Sequence, residues 1–113
     1  MIILFLTLRR SHIIMKVEQH DLFGNIILPE IINLNNAPEF KQALTSLIEQ
    51  GYKLIKVDCN KLKMIDSAGL GNLVLFQKKL KEKDGELKLV NVKNDYIQHL
   101  FDMIDLRRVI NIE

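Results

Sequence analysis

The stretch "KMIDSAGLGNLVLF", Lys63 to Phe76, decides the reading of this chain, because an apolar strand-like run gives way in it to a helix-like one. At the changeover stand an acid, Asp66, a hydroxyl, Ser67, and two glycines, Gly69 and Gly71. The first backbone N–H groups of a helix lack internal partners. Serine is among the best residues for capping them, at about 0.5–2 kcal/mol per cap. Ser67 as a cap is therefore one reading. The other is that the junction receives something. Two of the chain's five glycines sit in the first turns of a helix, where each costs about 1 kcal/mol relative to alanine. Glycines there let another backbone or an anion come close, and free N–H groups at the positive end of the helix dipole can accept a phosphate.

Working outward, the helix that follows is apolar through Leu70, Leu73, Val74, Phe76, Gln77 and Leu80, and turns lysine-rich toward its negative dipole end before stopping at Asp84-Gly85. Before the junction, "YKLIKVDC" is a mostly apolar strand of the kind a helix-covered sheet prefers. Upstream of it, "NNAPEFKQALTSLIEQG" carries helix signals: Asn36 as cap, Pro38 and Glu39 in the first turn and Gly51 past the end, with Phe40, Ala43, Leu44, Leu47 and Ile48 on one face. "IIMKVEQH" and "NIILPEII" flank the turn "DLFGN" as a hairpin, with Pro29 marking an edge, a bulge or the strand's end. Downstream, "ELKLVNV", a helix near "NDYIQHLFDMI" and "RRVINI" complete the order β-β-α-β-α-β-α-β. Helical crossovers between the later strands imply parallel units, hence an α/β domain with a mixed sheet covered by helices on at least one face.

Composition excludes several functions. A chain of 113 residues, 48% hydrophobic and 27% charged, holds one domain with one modest core. Its net charge of +2 comes from Arg9 and Arg10, since from Met15 onward the count is 14 basic against 14 acidic side chains. No net field remains there to attract a nucleic acid. The single cysteine, Cys59, can form no internal disulfide and has no zinc-spacing neighbours, which fits a reducing, cytoplasmic setting.

The opening "MIILFLTLRRSH" is far shorter than the about 20 residues of a membrane-spanning helix. It also lacks the order of charge, apolar run and cleavage site of a signal peptide. An extra strand, a loose tail and a start-codon artefact are the three readings left. Because termini are poorly ordered unless tied down, and a strand pattern begins just after Met15, residues 1–14 are read as a tail or artefact and residues 15–113 as the domain.

Catalytic and cofactor motifs do not match. "GLG" lacks the third glycine of a dinucleotide fingerprint, no Gly-Lys-Ser/Thr follows, and "DSAG" is not a hydrolase elbow. His12, His20 and His99 are not tied to Ser67 by sequence, and Asp58 and Asp66 have no accompanying metal-ligand cluster. The chain is read as a non-enzyme with no cofactor and no metal.

"MIDSAGLGNLV", preceded by "KLIKVDCNKLK" and followed by "GELKLVNV", resembles the STAS domain, and within it the bacterial anti-sigma factor antagonists, over about Met15 to Ile112. The resemblance implies a four- to five-stranded mixed sheet with helices along one side, and a serine phosphorylated by a partner kinase. By position that serine is Ser67. The implied function is a partner switch. The unphosphorylated domain would bind an anti-sigma factor that is itself a serine kinase, and so release a sigma factor. Phosphorylation would reverse the binding, and a phosphatase would restore it. Asp66, Ser67, Ala68, Gly69, Leu70, Asn72 and Asn33 are the implied partner-binding residues, with no direct nucleic-acid contact and no membrane insertion. Relatives often carry a glycine and then an aspartate where this chain has Pro29 and Asn33, and a second hydroxyl where it has Ala68. The alternative is a cytoplasmic STAS subunit of a lipid or anion transport assembly, in which Ser67 only caps the helix.

Overall fold

The computed structural model of the protein describes residues 2–7 and 14–113. In chain order the elements are β1 (Ile2–Thr7), β2 (Ile14–Gln19), β3 (Gly24–Ile27), β4 (Ile31–Ile32), α1 (Ala37–Glu49), β5 (Leu54–Asp58), β6 (Met64–Ile65), α2 (Ser67–Lys81), β7 (Glu86–Val90), α3 (Asp95–Met103), a single 3-10 turn (Leu106–Arg108) and β8 (Asn111–Ile112). The main sheet runs β1-β2-β3-β5-β7-β8. The pairs β1/β2 and β2/β3 are antiparallel, and the pairs from β3 to β8 are parallel. The expected mixed α/β sheet with helices packed on one face is what the chain forms.

Alternation along the strands explains the layering. Met15, Val17, Ile26, Ile55, Val57, Leu87 and Leu89 are buried, whereas the intervening Lys16, Glu18, Asn25, Lys56 and Lys88 are half-buried on the opposite face. The α1 face of Phe40, Ala43, Leu44 and Leu47 and the α2 face of Leu73, Phe76 and Leu80 complete the same core. Gln77 of α2 is buried among them because its Oε1 accepts a hydrogen bond from the Leu87 N–H at 2.8 Å.

Three expectations need correction. The run "NIILPEII" is two strands: β3 ends at Ile27, and past Pro29, which cannot donate to a ladder, Ile31–Ile32 pairs in parallel with β6 in a separate two-stranded sheet. Of "RRVINI", Arg107 and Arg108 belong to the 3-10 turn, and only Asn111–Ile112 pairs with β7. The opening run is a strand over Ile2–Thr7, not a tail: it takes the outer edge of β2 over six residue pairs and brings the main sheet to six strands. Its lack of charge, proline and glycine favours a strand over a loop. Arg9, Arg10 and His12 lie outside the described residues.

Candidate functional site

The site is built where the small β4/β6 sheet delivers two loops side by side. Asp66 leaves β6 with its N–H donating to the Ile32 carbonyl at 3.0 Å, and α2 begins one residue later. Asp66, not Ser67, is the cap: its backbone is extended, and its Oδ1 accepts from the N–H groups of Ala68 at 2.9 Å and Gly69 at 3.2 Å. The cap reading of Ser67 is thereby overturned. Ser67 is the first helical residue, it is exposed, and its hydroxyl has no hydrogen-bond partner among the described residues. The expectation of free N–H groups at this helix start also changes, since the Asp66 carboxylate already occupies those of Ala68 and Gly69.

The other Asp66 oxygen, Oδ2, accepts from the Leu34 N–H at 3.1 Å and so fixes the β4–α1 loop beside Ser67. Within that loop the Asn33 side chain accepts from the Asn35 N–H at 2.9 Å, and the Asn33 carbonyl accepts from Asn36 and Ala37. Asn36 stands at the cap position of α1 but makes no side-chain cap. Its amide is turned back into the loop, accepting from the Asn33 N–H at 2.8 Å and donating to the Ile31 carbonyl at 2.7 Å. Asn72, one turn into α2, donates to the Ala37 carbonyl at 2.9 Å and ties the starts of the two helices together.

Of the residues singled out in the sequence, Asn33, Asp66, Ser67, Ala68 and Asn72 thus belong to one surface. Leu70 is half-buried against the core, and Gly69 is buried. A Cβ on Gly69 would lie 2.5 Å from Ile32 Cγ2 and 2.7 Å from Ile65 Cγ1, so this glycine lets α2 press onto the small sheet. A Cβ on Gly71 would meet nothing within 4 Å.

Sequence reasoning missed the apolar part of the surface. Leu34 is 76% exposed, and Ile31 and Met64, which pair with each other across the small sheet, are 43% and 53% exposed. Leu34, Ala37, Pro38, Lys41, Ala68 and Asn72 line a shallow groove of about 360 Å³ next to Ser67. The signal for Leu34 is present in the sequence as one apolar residue inside the polar run "NLNN".

Other reactive groups lie elsewhere. Cys59 is buried, and desolvation, helped by the neighbouring Asp58, pushes its thiol up to about 12, far from a reactive thiolate. His20 stacks on Phe23 with ring centroids 4.3 Å apart. Among the described residues no three His, Cys, Asp or Glu side chains are grouped to hold a metal, and no helix is long and apolar enough to cross a membrane.

The chain thus presents a six-stranded sheet covered by helices on one face, with an exposed serine opening α2 beside an ordered loop. The STAS domain model matches residues 14–113, and the chain belongs to that non-catalytic family, related to the bacterial anti-sigma factor antagonists. The anti-sigma-B factor antagonist of Bacillus subtilis is 34% identical over 97 residues, covering 86% of this chain and 85% of that protein. Among solved structures, the anti-sigma factor antagonist SpoIIAA in its unphosphorylated form superposes with a TM-score of 0.75 at 17% identity, covering 88% of this chain and 87% of that one. The phosphorylated form of the Bacillus cell fate determinant SpoIIAA superposes with a TM-score of 0.69 at 18% identity, covering 88% and 90%. A murine anion transporter of the Solute Carrier 26 family also contains the fold, with a TM-score of 0.57 at 14% identity, covering 96% of this chain but 20% of that one.

Proposed function

We propose that this protein is an anti-sigma factor antagonist that works as a partner switch, with Ser67 as its phosphorylation acceptor. In this reading the unphosphorylated protein binds an anti-sigma factor with serine-kinase activity and so frees a sigma factor. Phosphate on Ser67 breaks that complex, and a phosphatase resets it. The observation that carries the reading is the state of Ser67: exposed at the first position of α2, relieved of capping by Asp66, and with its hydroxyl unengaged among the described residues. A kinase can reach such a hydroxyl without unwinding the helix.

The electrostatics favour a switch acting on binding over one acting on fold. A phosphate adds about −1.5 to −2 charge at neutral pH. Here it would stand beside the Asp66 carboxylate, which already uses the nearest helix N–H groups. The positive helix end keeps the added charge tolerable within the domain. A partner covering neutral Ser67 together with the exposed Leu34, Ile31 and Met64 would instead meet two adjacent negative groups on a surface it must desolvate. That the relative SpoIIAA has been solved with and without phosphate, both forms sharing the fold of this chain, supports the same picture.

In the alternative reading, a STAS subunit of a lipid or anion transport assembly, Ser67 would only cap the helix; that Asp66 provides the cap and leaves Ser67 exposed supports the switch instead. The experiment is phosphosite mapping of the protein from its own cells, with a pull-down comparing Ser67→Ala and Ser67→Asp. Phosphate at Ser67, and a kinase-like partner kept by alanine and lost with aspartate, is the expected result. No phosphate under any growth condition, with partners indifferent to both substitutions, would overturn it.

A further inference from the structure

The main sheet ends on one side in β1, a strand lying outside the residues 14–113 that match the family. Its inner edge pairs with β2 over six residues, and among the described residues its outer edge pairs with nothing. Proteins blunt such edges with lysine, proline, bulges or very short strands. The sequence of β1, "IILFLT", has no charge, proline or glycine, its pairing with β2 advances one residue at a time without a bulge, and Ile2 is 58% exposed. The opposite edge, β8, is only two residues long. Because α1 packs against both β1 and β2, β1 is part of the layered fold.

We propose that β1 is a self-association edge, pairing antiparallel with β1 of a second copy so that two six-stranded sheets become continuous. The second copy fits for a reason of charge and symmetry. In an antiparallel pair about a twofold axis, each residue near the centre faces itself or its immediate neighbour on the other chain. Any charged residue there would be set against its own like. Ile2–Thr7 contains none, so self-pairing carries no such penalty, and every register that joins the strands is free of it. A foreign strand would be selected by side-chain or charge features that this uniform apolar run does not offer. One pair of six-residue strands is a small interface, so the association is concentration-dependent, not obligate.

The test is sedimentation velocity of the 113-residue chain from low micromolar to near-millimolar concentration, with amide hydrogen exchange over the same range. The weight-average mass should rise toward twice that of one chain. Alternate amides of residues 2–7, those directed away from β2, should gain at least tenfold protection in step with it, about the protection an ordered ladder gives. Leu4→Lys should hold the mass at one chain. A constant mass overturns the proposal. So does a doubled mass with the β1 amides unchanged, which would put the contact on another surface. The exchange measurement uses the unaltered protein, so the result stands even if Leu4→Lys disturbs the strand.

Discussion

Asp66 and Leu34 are joined across two loops: one carboxylate oxygen of Asp66 caps α2, and the other accepts the Leu34 N–H at 3.1 Å. A single side chain thus sets both the start of the helix that carries Ser67 and the height of the most exposed apolar residue beside it. Asp66→Asn keeps one oxygen for the cap but replaces the other with an amide that cannot accept from Leu34. The expected outcome is a stability loss below about 1 kcal/mol, because the cap survives, with clearly faster hydrogen exchange at the Leu34 amide. Asp66→Ala removes both functions and should cost about 1–2 kcal/mol in urea unfolding.

Ser67→Ala separates the cap reading from the geometry seen here. A serine cap would cost about 0.5–2 kcal/mol on removal. An exposed first-turn serine whose hydroxyl has no partner among the described residues should change stability by no more than about 0.5 kcal/mol. Denaturant midpoints of the two proteins at constant slope decide the matter. A loss above 1 kcal/mol would return the capping role to Ser67.

That ambiguity shows where the sequence stopped being legible. The helix faces could be read because burial repeats with the helical period, as with Phe40, Ala43, Leu44 and Leu47, all buried. The junction itself was also legible from "DSAGLG". What could not be read was which of two adjacent cap-forming residues caps, because the choice is made by Leu34, 32 residues upstream in sequence. Asn36 shows the same limit, its amide drawn into the β4–α1 loop instead of onto its own helix. The paired strands Ile31–Ile32 and Met64–Ile65 are too short to show a period, and with them the apolar rim of the site went unseen. For β1, only the pairing with β2 distinguishes an apolar strand from an apolar tail.

Gly69 and Gly71 should respond oppositely to alanine. At Gly69 the added methyl enters space held by Ile32 and Ile65, and such overpacking typically costs about 1–3 kcal/mol. At Gly71 it enters open space on an exposed helix turn, and should stabilise by up to about 1 kcal/mol through helix propensity. Thermal melts of the two single variants test this, and equal effects would show that α2 does not lie against the small sheet as described.

Glu39 provides the pH test. It lies in the first turn of α1, is 1% exposed, and neither carboxylate oxygen has a hydrogen-bond partner among the described residues. Desolvation raises its pKa above the ordinary carboxylate value. Between the unfolded and folded pKa values the folded protein therefore binds more protons, so Glu39 costs nothing below that window and increasingly destabilises the fold as pH rises through it. Glu39→Met keeps the length, removes the charge and should stabilise the protein at pH 7 by about 1–3 kcal/mol. The advantage should shrink as the pH is lowered toward that of the protonated carboxyl. Urea unfolding of both proteins across the acid-to-neutral range checks the sign: a gap that widens on acidification, or a methionine variant less stable at pH 7, would mean that the Glu39 carboxylate is paired and stabilising in solution.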